Sequence, residues 1–251
     1  MNERTWLTTS DALAMLAARH PTRSHGSTEP QSRRARMYLL ACARRAWSRL
    51  PGVCRALVAL AEAYADAPGK LEPLRAAVAP VAEGLLHCDG EDGELRALFS
   101  ELIQLSDRVR DALVASTPEA RANAFNWADE PPAERFGPTE WPGLAALVYL
   151  PFDTNTPTFT WVPRHLHSAR LVREVYGNPY RNIPFDDRWR TADAVGVARR
   201  IHDTHGSADM PILADALEDA GCDDADVLNH CREPAHHVRG CWVLDRVLDF
   251  K

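Results

Sequence analysis

Apolar side chains recur at three- and four-residue intervals over most of this 251-residue chain, and proline and glycine interrupt the pattern. That spacing places apolar side chains on one face of an α-helix, whereas a half-buried strand requires strict alternation. The clearest example extends from Glu91 to about Ser116, and another extends from Arg33 to Leu50 with Arg36 among its polar positions. The pattern therefore predicts a mostly α-helical protein.

Shorter helices follow from the same spacing together with capping residues. We predict them at about 6–16, 53–65, 71–87, 165–176, 191–202, 211–220, 224–231 and 237–248. Ser10 or Asp11 would act as the N-cap of the first segment, because their side chains accept hydrogen bonds from unpaired amides. Gly221 would end the 211–220 helix, and Asp223 or Asp224 would cap the next helix.

A proline- and aromatic-rich stretch at 128–163 separates two helical parts, which we place at 1–127 and 164–251. Within this linker, threonine alternates with aromatic residues over 158–161, which is the one pattern in the chain typical of a strand. We therefore expect a two-part helical protein with at most one short β-hairpin in its middle.

Composition restricts the class of protein. The formal net charge is −6, which argues against general nucleic-acid binding because such proteins present a basic face. No apolar run approaches the ~20 residues of a membrane span, and the first residues lack a signal-peptide pattern. Six cysteines are too few for a disulfide scaffold of this length. We expect a soluble, cytoplasmic protein with reduced thiols.

Three segments near the C-terminus are specific, and they read Ala216-Leu-Glu-Asp-Ala-Gly-Cys, His230-Cys-Arg and His237-Val-Arg-Gly-Cys-Trp. They resemble an expanded family of uncharacterised proteins from planctomycete-like and myxobacterial genomes. The helix beginning Ala214-Asp-Ala-Leu-Glu also resembles part of a small repeat-companion domain of the same bacteria. The resemblance implies a helical bacterial protein and supplies no catalytic role.

Thiols and imidazoles are concentrated near the C-terminus. Four of them have the residue types of a tetrahedral zinc site: Cys222, Cys231, His237 and Cys241. The four-residue spacing of His237 and Cys241 would place both side chains on one helical face. Because no paired Cys-x-x-Cys motif occurs and each thiol neighbours apolar residues, we favour buried structural thiols. We expect no cofactor and no metal, and keep zinc as the alternative.

A cysteine-dependent enzyme is a third interpretation, with Cys231 paired to His230 or His237. An activated thiol also needs an oriented base and an oxyanion site, and no glycine-rich nucleophile turn accompanies these residues. P-loop, dinucleotide-binding and metalloprotease motifs do not occur in the chain either. We therefore assign no catalytic residue and expect a non-enzymatic protein.

Aromatic and arginine side chains suggest where another protein could bind, because these residues dominate binding hot spots. The candidates are Trp161, Tyr176, Asn178, Tyr180 and Arg181. A connection whose aromatic side chains fill the core would explain the same residues, and ordinary burial tendencies favour it. Our leading functional hypothesis is a regulatory or protein-interaction module whose partner is another protein.

Overall fold

A computed structural model describes residues 1–19, 33–49, 52–66, 76, 164–234 and 237–250. These residues are mostly helical and contain no strand, which confirms the predicted fold class. Apart from residue 76, which is helical, the helix predicted at 71–87 lies outside the described residues, as do the helix predicted at 91–116, the linker at 128–163 and the hairpin. The chain divides into two compact units, one of residues 1–19 and 169–251 and the other of residues 20–168.

Nine α-helices can be described. They are α1 (Glu3–Thr8), α2 (Ala12–Arg19), α3 (Arg33–Arg45), α4 (Gly52–Asp66), α5 (Ala169–Tyr176), α6 (Ala192–Thr204), α7 (Met210–Asp219), α8 (Ala225–Arg232) and α9 (Trp242–Val247). Short 3-10 turns occur at Trp47–Arg49, Arg164–Leu166, Asp187–Trp189 and Ser207–Asp209. Within these ranges, no helix has both the length and the apolar character that crossing a membrane requires.

Residues 1–19 fold with the C-terminal helices, although the division predicted from sequence placed them in the N-terminal part. Trp6 on α1 is fully buried, and its indole N–H donates to the carbonyl of Gly177 at 3.1 Å. Arg173 on α5 donates to the carbonyls of Trp6 and Thr9 at 2.6–2.9 Å. These contacts join segments more than 160 residues apart in sequence.

Local capping signals define the helix ends of this unit. The Asp11 carboxylate accepts from the amide of Ala14 at 3.0 Å, and Asp224 accepts from the amides of Asp226 and Val227. Gly221 follows α7 with a φ of +86°, a conformation that favours glycine. The predicted caps at Asp11, Gly221 and Asp224 are therefore confirmed.

The final helix is shorter than predicted. It covers Trp242–Val247 and not 237–248, because Gly240 has a φ of +88° in a turn before it. His237 lies in the irregular segment before that turn, and Cys241 occupies the N-cap position of α9. The prediction that His237 and Cys241 share one helical face is therefore wrong.

The core of this unit is an apolar cluster contributed by α6, α7, α8 and α9. The helical spacing of apolar residues over 238–248 predicts that the Trp242 indole is buried against Ile212, Leu213, Ala216 and Leu217. Trp242 belongs to the cluster with 6% of its surface exposed, which confirms its burial, but Ile212 is 48% exposed. The correction follows from helix geometry, since Leu213 and Leu217 form the inward face of α7 and Ile212 points away from it.

In the second unit, α3 and α4 contact one another, and almost all of α3 is buried. Arg36, predicted as a polar position, is only 7% exposed, so this prediction is wrong. Its guanidinium carbon lies 5.2 Å from the ring centroid of Tyr64 on α4. Stacking on an aromatic ring allows an arginine to be buried at lower cost than an isolated charge.

Candidate metal centre

Four side chains of the types that can bind a metal ion lie close together inside the unit of residues 1–19 and 169–251. They are Glu174, His230, His237 and Cys241, and one ligand atom from each lies within 4.8 Å of the other three. Each comes from a different place in the fold: α5, α8, the segment after α8, and the N-cap of α9. Only folding brings this set together, because Glu174 lies 63 residues before His237.

The distances between these side chains suit a single ion. Glu174 Oε1 lies 3.0 Å from His237 Nδ1, and its Oε2 lies 3.5 Å from His230 Nε2. The same nitrogen of His230 lies 3.2 Å from Cys241 Sγ. Zinc binds nitrogen at about 2.0–2.1 Å and sulfur at about 2.3 Å, so tetrahedral donors lie roughly 3.3–3.7 Å apart. Only small side-chain movements would therefore be needed to enclose zinc.

Burial raises the free-energy cost of any charge in this cluster. Glu174, His237 and Cys241 are buried, and His230 is mostly so. Burial opposes ionisation of Glu174, but hydrogen bonds and charge from His230 and His237 outweigh it and hold the pKa of its carboxyl at about 2. A carboxylate is therefore present in the interior at neutral pH, where it requires a positive partner.

Cys241 and His237 respond to the same carboxylate. Burial and the charge of Glu174 raise the pKa of the Cys241 thiol well above its ordinary value. Burial lowers the pKa of His237, but the hydrogen bond and charge of Glu174 reverse this and leave it raised. Both shifts favour the protonated forms, so a cation that binds these side chains would have to displace protons from them.

One ring nitrogen at the site is only weakly paired. His237 Nε2 is buried and has no hydrogen bond of good geometry within the described part of the chain, although Nδ1 pairs with Glu174 and the ring also interacts with the backbone of Glu233. An imidazole gives one nitrogen to a given ion, so the open position at Nε2 does not by itself indicate a metal.

The structure brings together only part of the predicted zinc set. His237 and Cys241 belong to the group of four, together with His230, which the sequence suggested only as a possible base for Cys231. Cys231 is adjacent to His230 in α8 but packs in the apolar cluster, where burial raises the pKa of its thiol to about 12. Cys222 is also buried in that cluster, so neither thiol belongs to the four-residue group.

Glu174 was missed entirely by sequence reasoning. A signal existed, because this carboxylate lies among the apolar residues that form the buried part of α5, including Leu171, Val172 and Val175. A charged residue at a helical position otherwise occupied by core side chains needs a buried partner. The sequence alone does not identify that partner, which comes from two other elements.

The residues that the sequence suggested for partner binding do not belong to the group of four. Tyr176 is buried, and Asn178 and Arg181 bond to Glu3 within the same unit. Tyr180 is exposed, although its hydroxyl donates to the carbonyl of Met1. Trp161 lies outside the described residues.

No family model, curated protein or solved structure matches this chain. The likeness to an uncharacterised bacterial family therefore stays a prediction. The geometry of the four donors is the most specific chemical feature among the described residues.

Proposed function

We propose that residues 1–19 and 169–251 form a zinc-stabilised helical domain. One ion would bind Glu174, His230, His237 and Cys241. The observation that carries this proposal is the convergence of four donor atoms within 4.8 Å from four separate elements. Such a centre serves the fold and does not require catalysis.

Zinc fits the chemistry of this donor set better than other common ions. Calcium and magnesium prefer sites built from oxygen, whereas a thiolate with imidazoles favours zinc or a similar transition metal. A thiolate at Cys241 and a carboxylate at Glu174 would together balance the two positive charges of the ion. A neutral centre is the least costly one to bury.

A structural role follows from the number and burial of the donors. Catalytic zinc sites keep one position for water or substrate, whereas structural sites use four protein ligands. Here four side chains are available, and three of them are buried. The elements they connect are short, since α5 and α8 have eight residues each and α9 has six. Helices of this length are marginal alone, so a shared ion would hold them together.

A buried hydrogen-bond network without metal is the competing interpretation. Glu174 already accepts from His237, and a protonated imidazole would neutralise it. That network gives the Cys241 thiol a weak interaction with His230 and with the backbone at Val243 and Leu244. A metal ion would use one donor atom from each of the four side chains.

Elemental analysis of the full-length protein, purified without a histidine tag, tests the proposal. We expect about one zinc per chain, as four-ligand structural sites hold a single ion. Cys241→Ser and His237→Gln should lose it. Cys231→Ser and Cys222→Ser are matched controls, because both remove a buried thiol outside the group of four, and both should retain the metal.

Two results would contradict this assignment. A parent protein with negligible metal after growth in zinc-supplemented medium, and with unchanged melting in a chelator, would support the His–Glu network instead. If Cys222→Ser loses zinc and Glu174→Gln retains it, the ligands would be the set predicted from sequence, which has three thiols and one imidazole.

A further inference from the structure

A groove open to solvent lies between α6 and α7, away from the metal ligands in sequence and sharing none of them. It has a volume of about 470 Å³. Gly196 and Val197 of α6 and Ile212 and Ala216 of α7 contribute its apolar lining.

Gly196 is unusual because the fold does not require it. It lies inside α6, where glycine is less favourable than alanine, and its φ is not positive. A Cβ built at this position meets nothing within 4 Å, so close packing does not explain the glycine either. What the missing side chain provides is an open groove. Ile212 is likewise 48% exposed where a polar residue would be favoured.

The charges lining the groove are mainly acidic. Asp193, Asp215 and Asp219 are exposed there together with Arg200. Arg200 pairs with Asp209 at 2.9 Å, and Asp215 pairs with Arg232 at 3.2 Å. In the described ranges, Asp193 and Asp219 form no ion pair.

Asp219 is a second residue that the stability of the fold does not explain. It is the last residue of α7, a helix with no basic residue in its last turn. Negative charge at this end is opposed by the helix dipole. Asp193 lies in the first turn of α6 and Asp219 ends α7, so the short connection between these helices places both carboxylates towards one end of the groove. They complement a ligand that carries positive charge beside an apolar group.

We propose that the α6–α7 groove binds a basic peptide segment of another protein. An apolar side chain of that segment would lie over Gly196 and Ile212, and neighbouring lysine or arginine side chains would pair with Asp193 and Asp219 at one end of the groove. The open shape suits a peptide, and the combination of apolar contact and charge complementarity gives both affinity and specificity. This is the type of surface that a protein-interaction module needs, and it is independent of the metal centre.

Selection from random dodecapeptides displayed on phage tests the proposal, with full-length protein as bait and Gly196→Leu protein for counter-selection. The enriched peptides should share an apolar residue with lysine or arginine close to it. The best synthetic peptide should bind the Ile212→Ser and Asp193→Asn/Asp219→Asn variants at least about tenfold more weakly, a loss of about 1.4 kcal/mol. Asp223→Asn, an exposed carboxylate outside the groove, is the matched control and should bind normally.

Stability separates a binding role from a structural one. Gly196→Ala should raise the melting temperature while weakening peptide binding, which is the opposite of what a purely structural glycine would show. Enrichment of acidic peptides, or no enrichment, would overturn the proposal. So would peptides that bind Gly196→Leu as tightly as the parent. A parent protein that dimerises in a manner abolished by Ile212→Ser would instead identify a second copy as the occupant.

Discussion

Arg173 and Glu174 are neighbours in the chain, yet they bind different parts of the fold from the same helix. Arg173 donates to the carbonyls of Trp6 and Thr9, whereas Glu174 accepts from His237 at 3.0 Å. Consecutive residues of a helix point about 100° apart, because each turn holds about 3.6 residues. Helix α5 therefore connects the N-terminal helices to the candidate metal centre.

Chelation should destabilise the unit that contains this centre. When the free concentration of an ion is 100 times its dissociation constant, binding stabilises the fold by about 2.7 kcal/mol. Loss of that stabilisation corresponds to a fall of roughly 10–20 °C in the melting temperature of a unit of this size. Thermal unfolding with and without a strong chelator measures the effect. Cys241→Ser should already melt at the lower temperature and should not respond to the chelator. An equal response of both proteins would exclude Cys241 as a ligand.

Replacement of Arg173 tests how the N-terminal helices are held. Arg173→Met retains much of the apolar stem but removes the bonds to Trp6 and Thr9, and hydrogen bonds from a charged donor contribute about 1.5–3 kcal/mol. We expect a loss of that size in urea unfolding, with the metal content unchanged. Arg170→Met on the exposed side of α5 is the matched control and should differ by less than about 0.5 kcal/mol.

Two glycines should respond in opposite ways to the same change. Gly177 has a φ of +65°, and a Cβ there would lie 3.2 Å from Cγ of Trp242. Gly177→Ala should therefore destabilise the unit by about 1–3 kcal/mol through backbone strain and crowding. Gly196→Ala should stabilise it by about 0.5–1 kcal/mol, because α6 has room for the methyl group. Denaturant unfolding of both variants checks this, and destabilisation at both positions would contradict it.

Trp242→Ala should strongly destabilise the same unit. Its indole is buried beside His230, with ring centroids 5.2 Å apart. It belongs to the apolar cluster that adjoins the candidate metal centre. Truncation of a buried tryptophan costs about 3–5 kcal/mol. Thermal unfolding should show the loss, whereas the exposed Ile212→Ala should change stability little. Parent-like melting of Trp242→Ala would place this side chain in a partner surface.

Cys42 in the second unit should resist alkylation until the protein unfolds. Burial raises the pKa of its thiol to about 12, against an opposing hydrogen bond from Tyr38, so roughly one thiol in ten thousand is ionised at pH 8. Mass spectrometry after iodoacetamide treatment should find Cys42 unlabelled in native protein and labelled in urea. Rapid native labelling would contradict this burial.

The same pKa shift predicts how stability depends on pH. The folded thiol keeps its proton at pH values where the unfolded thiol, with a pKa near 8.5, has lost it. Its contribution is therefore complete below about pH 8.5 and is lost as the pH rises towards about 12. Cys42→Ala should reduce that alkaline loss, and an unchanged pH dependence would count against it.

Local signals in the sequence were sufficient for most of the described helices. Asp11, Asp224 and Gly221 act within a few residues of their own positions, so their capping roles could be predicted without tertiary information. The extended final helix was predicted wrongly because apolar spacing continued through Gly240, where the backbone turns.

The candidate site depended on contacts that no local pattern contains. His237 and Cys241 were recognised by residue type, but Glu174 lies 63 residues before His237 and was not. Cys231 packs in the core, whereas its neighbour His230 belongs to the candidate site. This difference follows from the orientation of α8. That orientation is set by tertiary packing, so the correct ligand set could not be predicted from spacing.

The division of one unit between residues 1–19 and 169–251 also has a consequence for synthesis. Ribosomes add about 5–20 residues per second, so α1 and α2 emerge roughly ten to thirty seconds before α5. During that interval Trp6 has neither the Gly177 carbonyl nor the α5 surface that bury it in the finished fold. The nascent chain thus exposes the Trp6 side chain until α5 has been synthesised and can pack against it.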